Sequence, residues 1–127
     1  MALDHECTSR DYLFGRLLAV ADVAEASTYG KDNSRPTNAR RYFNAFANRP
    51  STGWQTIYSR LDPYLKNMPE GKRRYYTGLI NQITEMFERD DFMDNSKLKP
   101  EFLHAYSCQV NELSPGNKDS HENKEEK

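Results

Sequence analysis

Residues 10–28 read RDYLFGRLLAVADVAEAST, and this stretch decides the architecture. Leu13, Phe14, Leu17, Leu18, Ala21 and Ala24 recur at the three- and four-residue steps of a helix. Thr8 and Asp11 have capping-box spacing, with aspartate where Glu or Gln is usual; they predict the start, and Gly30 predicts a stop after about Thr28. Gly15 and Arg16 interrupt the apolar face, although a glycine inside a helix costs roughly 1 kcal/mol relative to alanine.

The helical period continues downstream. Residues 38–48 put Ala39, Tyr42, Phe43 and Phe46 on one side and Arg41, Asn44 and Asn48 on the other, predicting one helix with a basic outer face, ended by Pro50. Ser51 is the expected N-cap of a third helix carrying Trp54, Ile57, Tyr58 and Leu61. Asp62 as cap and Pro63 at a first helical position predict a separate short helix rather than a kink. The longest helix is expected from Pro69 to about Arg89, with Tyr75, Tyr76, Leu79, Ile80, Ile83, Met86 and Phe87 spaced for burial. After an Asp-rich loop, Pro100 opens a last helix bearing Phe102, Leu103, Tyr106 and Val110, which Ser114, Pro115 and Gly116 end.

Strict alternation with β-branched residues persists nowhere, and the chain has no Gly-rich phosphate loop. The expected fold is therefore all-α: a compact bundle of about five helices over residues 1–113. Residues 114–127 are expected to form a disordered polar tail, since 117–127 contain no apolar side chain to offset the entropy of ordering. A chain of 127 residues is one domain by size and needs neither metal nor disulfide to fold. Two cysteines are too few for a secreted disulfide framework and no leader precedes Asp11, so a cytoplasmic protein is expected. No apolar run approaches the ~20 residues of a membrane-spanning helix, so no membrane role is expected.

The net charge of −1 conceals a separation of sign. Residues 1–30 sum to −3, residues 31–74 to +7 and residues 75–127 to −5. Seven of the ten positive charges in the central segment are arginines, whose planar fork suits phosphate oxygens. Arg35, Arg40, Arg41 and Arg49 cluster around one helix with few local acids at i, i+4 spacing; Arg60, Lys66, Lys72, Arg73 and Arg74 follow. These nine are the candidate nucleic-acid-binding residues, on the basic-patch criterion. Tyr42, Phe43, Trp54, Tyr75 and Tyr76 could stack on bases, but their helical spacing makes core packing the expectation.

Other chemistries find little support. His5, Cys7, His104 and Cys108 are the right types for zinc, but H-x-C and H-x-x-x-C are not common zinc spacings, and a helical cysteine is more often a small buried apolar group. Asp90, Asp91 and Asp94 lack the Gly and distal Glu of a calcium loop. No nucleophile elbow or Cys-His signature is present, so neither catalysis nor a cofactor is expected. A helix-turn-helix regulator would require a tight Gly turn that no predicted helix pair has.

Four segments together carry a resemblance: RDYLFGRLLAV at residues 10–20, RYFNAF at 41–46, KRRYYTGLI at 72–80 and AYSCQ at 105–109. In order, they resemble the C-terminal helical domain of the type I-C CRISPR Cascade large subunit, whose helices carry Y-L-L-G-R-L-like, R-Y-F and G-Y-x-x-Q-R-like segments. The likeness spans about residues 10–113. Ala105 stands where glycine is common and Val110 where arginine is common, so it does not carry a nucleic-acid role to the last helix. In this family the C-terminal region can also be made as a separate polypeptide from an internal start and then acts as the Cascade small subunit; with Met1 a few residues before the first helix, that is the expectation for this chain. The resemblance implies a non-catalytic protein lying beside the large subunit and the crRNA-bearing backbone subunits, usually with further copies of itself, and close to crRNA-guided target DNA. In RNA-guided recognition base pairing reads sequence, and backbone contacts tip a near-balanced strand exchange. Sequence-independent contact with the displaced strand is the expected role; the alternative is an assembly module that never touches DNA. If about five of the cations neutralised phosphates of a single strand, log affinity would fall with log salt at a slope near −3.5.

Overall fold

The computed structural model describes residues 2–30 and 35–113; the expected tail at 114–127 lies outside them. The described residues form an all-α bundle. Its six α-helices are α1 (Arg10–Ala26), α2 (Asn38–Arg41), α3 (Phe43–Asn48), α4 (Pro50–Asn67), α5 (Glu70–Glu85) and α6 (Glu101–Leu113), with a 3₁₀ turn at Asp91–Met93.

The first helix is the axle of the molecule. Residues 11–22 are all buried, and α6, α5, α4 and α2 pack around it. A helix enclosed on every side needs small or apolar residues all round rather than one stripe, which is why Ala19, Val20 and Ala21 join Leu13, Phe14, Leu17 and Leu18 in the interior. Gly15 has a specific cause, since a Cβ there would lie 2.2 Å from the Phe102 carbonyl oxygen and 3.0 Å from the Ala105 Cβ. The absence of a side chain lets α6 cross α1 backbone to backbone. Beside it Arg16 is 2% exposed and gives its Nε–H to Gln109 Oε1 at 2.8 Å. Burial lowers the Arg16 pKa from its ordinary value, and the charge of Glu112 opposes that.

Several expected boundaries move. No capping box forms: Ser9 is the N-cap residue without a side-chain cap bond, Thr8 donates to Glu88, and Asp11 accepts the Lys99 N–H at 2.8 Å. The predicted second helix is two, broken at Tyr42 (φ −103°, ψ 20°), and its start is capped by the Thr37 side chain accepting from the Arg40 N–H. Pro50 opens α4 rather than merely ending its predecessor, and Ser51 is a buried helical residue, not a cap. The separate helix expected at Asp62-Pro63 does not exist, because α4 runs through Pro63 to Asn67. Leu61 and Leu65, buried on either side of the proline, anchor both halves in the core, and tertiary burial outweighs the missing backbone hydrogen bond. The fifth helix stops at Glu85 instead of Arg89, whose positive φ of 48° turns the chain away.

Trp54, Ile57, Ile80, Ile83 and Phe102 complete the core around Phe14 and Phe46. A second small cluster of Leu3, Tyr12, Ala105 and Cys108, with Cys7 against it, straps the N-terminal segment to α6. Among the described residues no helix is long and apolar enough to cross a membrane.

Candidate nucleic-acid interface

The ends of the described chain do meet, yet they build no metal site. His5 Nε2 lies 2.9 Å from Glu112 Oε1, and Cys108 Sγ lies 3.7 Å from His104 Nε2. Among the described residues no group of three or more His, Cys, Asp or Glu could hold a metal ion. Asp94 is occupied instead: it accepts from the Ser96 hydroxyl and N–H and pairs with Arg10, and these interactions hold its carboxyl below the ordinary range.

The nine basic residues divide. Arg35, Arg41 and Arg60 line one cleft of about 490 Å³ between the end of α1, the start of α2 and the outer face of α4. Arg35 also lines an adjoining cleft of about 470 Å³, where Lys72 reaches across to donate to the Ser27 carbonyl at 3.3 Å. Arg60 lies over the Tyr42 ring, 5.3 Å from its centroid, and Tyr42 in turn walls a smaller, largely apolar groove with Arg49. Arg35 lines both clefts, and Arg60 reaches from the first of them over the Tyr42 ring to the Arg49 groove, so Lys72, Arg35, Arg41, Arg60 and Arg49 form a strip. Among the described residues none of Arg35, Arg41, Arg49 and Arg60 is in an ion pair.

The other four stand apart. Arg40 pairs with the buried Asp22 at 3.3 Å, which raises its pKa. Lys66 pairs with Asp62 at 2.9 Å and Arg74 with Glu70 at 2.7 Å, both exposed i, i+4 pairs of the kind worth a few tenths of a kcal/mol. Arg73 is half-buried on α5 and borders neither cleft.

Two buried carboxylates of α1 support the strip from below. Asp22 accepts from the Thr37 hydroxyl at 2.6 Å, the Tyr106 hydroxyl at 2.5 Å and Arg40. Burial, then the bond to Asp22, pushes the Tyr106 hydroxyl up to about 12. Glu25, 2% exposed, accepts from the Asn38 N–H at 2.9 Å, the Asn38 side-chain amide at 3.1 Å and the Tyr29 hydroxyl. Together they fix the start of α2, and with it Arg35 and Arg41, against α1.

Two cleft residues escape a sequence reading. Tyr29 and Tyr64 line both clefts and meet edge to face with centroids 6.0 Å apart; Arg35 lies 4.4 Å from the Tyr29 ring centroid. The available signal was Tyr64 four residues after Arg60, on the same helical face. Of the aromatics the sequence nominated, Trp54 and Tyr76 are buried, Tyr42 and Phe43 are partly buried against the core, and Tyr75 is 54% exposed.

None of the curated proteins compared with the chain matches it. The profile of one family, described as CRISPR-associated protein (Cas_Csd1), matches residues 1–114 and so takes in every helix of the bundle. On that span the chain belongs to the Cas_Csd1 family of CRISPR-associated proteins.

Proposed function

We propose that this chain is a non-catalytic small subunit of a type I-C CRISPR Cascade complex, and that it steadies the open loop through sequence-independent contacts to the displaced DNA strand. The observation that carries the reading is the convergence of Arg35, Arg41 and Arg60 on one cleft with no ion-pair partner among the described residues. Guanidinium groups held together and left unpaired have phosphate as a natural complement. Cascade membership supplies a long single strand that needs sequence-blind binding. The DNA-contacting set is accordingly narrower than the nine residues of the sequence reading: Arg35, Arg41, Arg60, Arg49 and Lys72, with Arg40 retained by Asp22.

The test is Arg35→Gln/Arg41→Gln/Arg60→Gln in the complex. Assembly with the remaining Cascade subunits should persist, while target binding weakens and the slope of log affinity against log salt shrinks by about 2, given roughly 0.7 per single-strand phosphate. Loss of assembly with unchanged DNA affinity would establish the assembly-module alternative instead. Arg40 is unsuitable for this purpose, since its removal leaves Asp22 buried without its cation.

A further inference from the structure

We infer that the cleft lined by Arg41, Arg60 and Tyr64 seats a nucleobase of a bound single strand, not only its phosphates; this rests on the nucleic-acid reading above. Neutralising a phosphodiester chain requires only cations on a surface. This site is instead a concavity of about 490 Å³, with the Tyr29–Tyr64 pair as one wall.

Its charge is arranged in depth. The exposed rim carries Arg35, Arg41 and Arg60, whereas the floor includes the buried Glu25 carboxylate. A phosphate pushed to that floor would meet a negative charge, so the interior favours a neutral group with N–H donors, while phosphate stays at the rim. Ser59 and Pro63 also line the cleft; the Ser59 hydroxyl donates to the Thr56 carbonyl at 2.9 Å, and Pro63 has no N–H to give the Ser59 carbonyl four residues earlier in α4. Outer cations, inner acceptors and an aromatic wall match the parts of one nucleotide, with phosphate outside and the amino-bearing edge of a base within. The bond from the Tyr29 hydroxyl to Glu25 fixes that ring, and Arg35 covers it, which leaves Tyr64 as the stacking surface.

Two single-stranded oligonucleotides of equal length and charge, one with bases and one fully abasic, decide the matter when titrated against the full chain at low salt. The base-bearing strand should bind at least about fivefold more tightly, the lower bound for one stacked base. Tyr64→Leu should abolish that difference, and Tyr64→Phe should retain it, both with unchanged helical circular dichroism. Equal affinity of the two strands for the unaltered chain would overturn the base pocket while leaving phosphate binding intact. A difference that survives Tyr64→Leu would overturn the assignment to this cleft. Binding of neither strand would defeat the nucleic-acid reading itself.

Discussion

Gly15 is fixed by what lies opposite it. An added Cβ would meet backbone atoms of α6, which cannot swing aside as a side-chain tip can. Gly15→Ala should therefore destabilise the fold by about 1–3 kcal/mol despite alanine's better helix propensity. Gly78, exposed within α5 with nothing inside 4 Å of its would-be Cβ, should show the opposite sign, a gain of up to about 1 kcal/mol for Gly78→Ala. Urea midpoints of the two variants, followed by circular dichroism, check both. Tyr106 sets a limit at high pH. Its hydroxyl is raised from 10.0 to about 12 in the fold, so the folded state retains this proton more strongly, and the resulting stability is present below about pH 10 and lost as pH climbs toward 12. Tyr106→Phe should start less stable, having lost the bond to Asp22, and should lose less over that window. The sequence marks Gly15-Arg16 as odd but cannot say why, because Phe102, Ala105 and Gln109 come from the other end of the chain. Arg40 misleads for the same reason, its partner Asp22 being eighteen residues away and invisible to an i, i+4 search.

At the scale of helices, legibility follows length and burial. The α1, α5 and α6 segments carry enough turns for their period to stand out, and each forms where expected to within a few residues. The α2–α3 region is too short for periodicity to reveal the break at Tyr42, which lets α3 follow Phe46 onto Gly53 while α2 stays tied to Glu25. Proline misled in α4, since its local preference for a helix start yields to the burial of Leu61 and Leu65 around it. Pro63→Ala restores a donor to the Ser59 carbonyl without moving the helix and should raise stability by about 1–3 kcal/mol, read from the urea midpoint. A fall in stability would show that the fixed φ and packing of the Pro63 ring outweigh the hydrogen bond it forgoes.

For the molecule as a whole the decisive quantity is the distribution of charge, not its sum. A net charge of −1 would make a uniformly charged body indifferent to DNA or weakly repelled by it. Here the +7 segment supplies α2, α3, α4 and the first turn of α5, and among the described residues Arg35, Arg41, Arg49, Arg60 and Lys72, none of them in an ion pair, gather along α4, whereas the acids Asp22, Asp62 and Glu70 are already matched with cations. This grouping could be read from the sequence as a segment, but which cations stay available could not, because pairing depends on the fold. Screening acts over about 10 Å at 0.1 M salt, so an approaching strand senses mainly the charges around the strip that it meets rather than the sum over the chain. The association rate with single-stranded DNA should therefore fall as salt rises, although both partners carry net negative charge. Arg35→Gln/Arg41→Gln/Arg60→Gln should flatten that dependence, because the dissociation rate reports close contacts whereas the association rate reports the field. Stopped-flow traces over a salt series separate the two, and an association rate that climbs with salt would show that net charge governs the encounter and that the strip does not steer it.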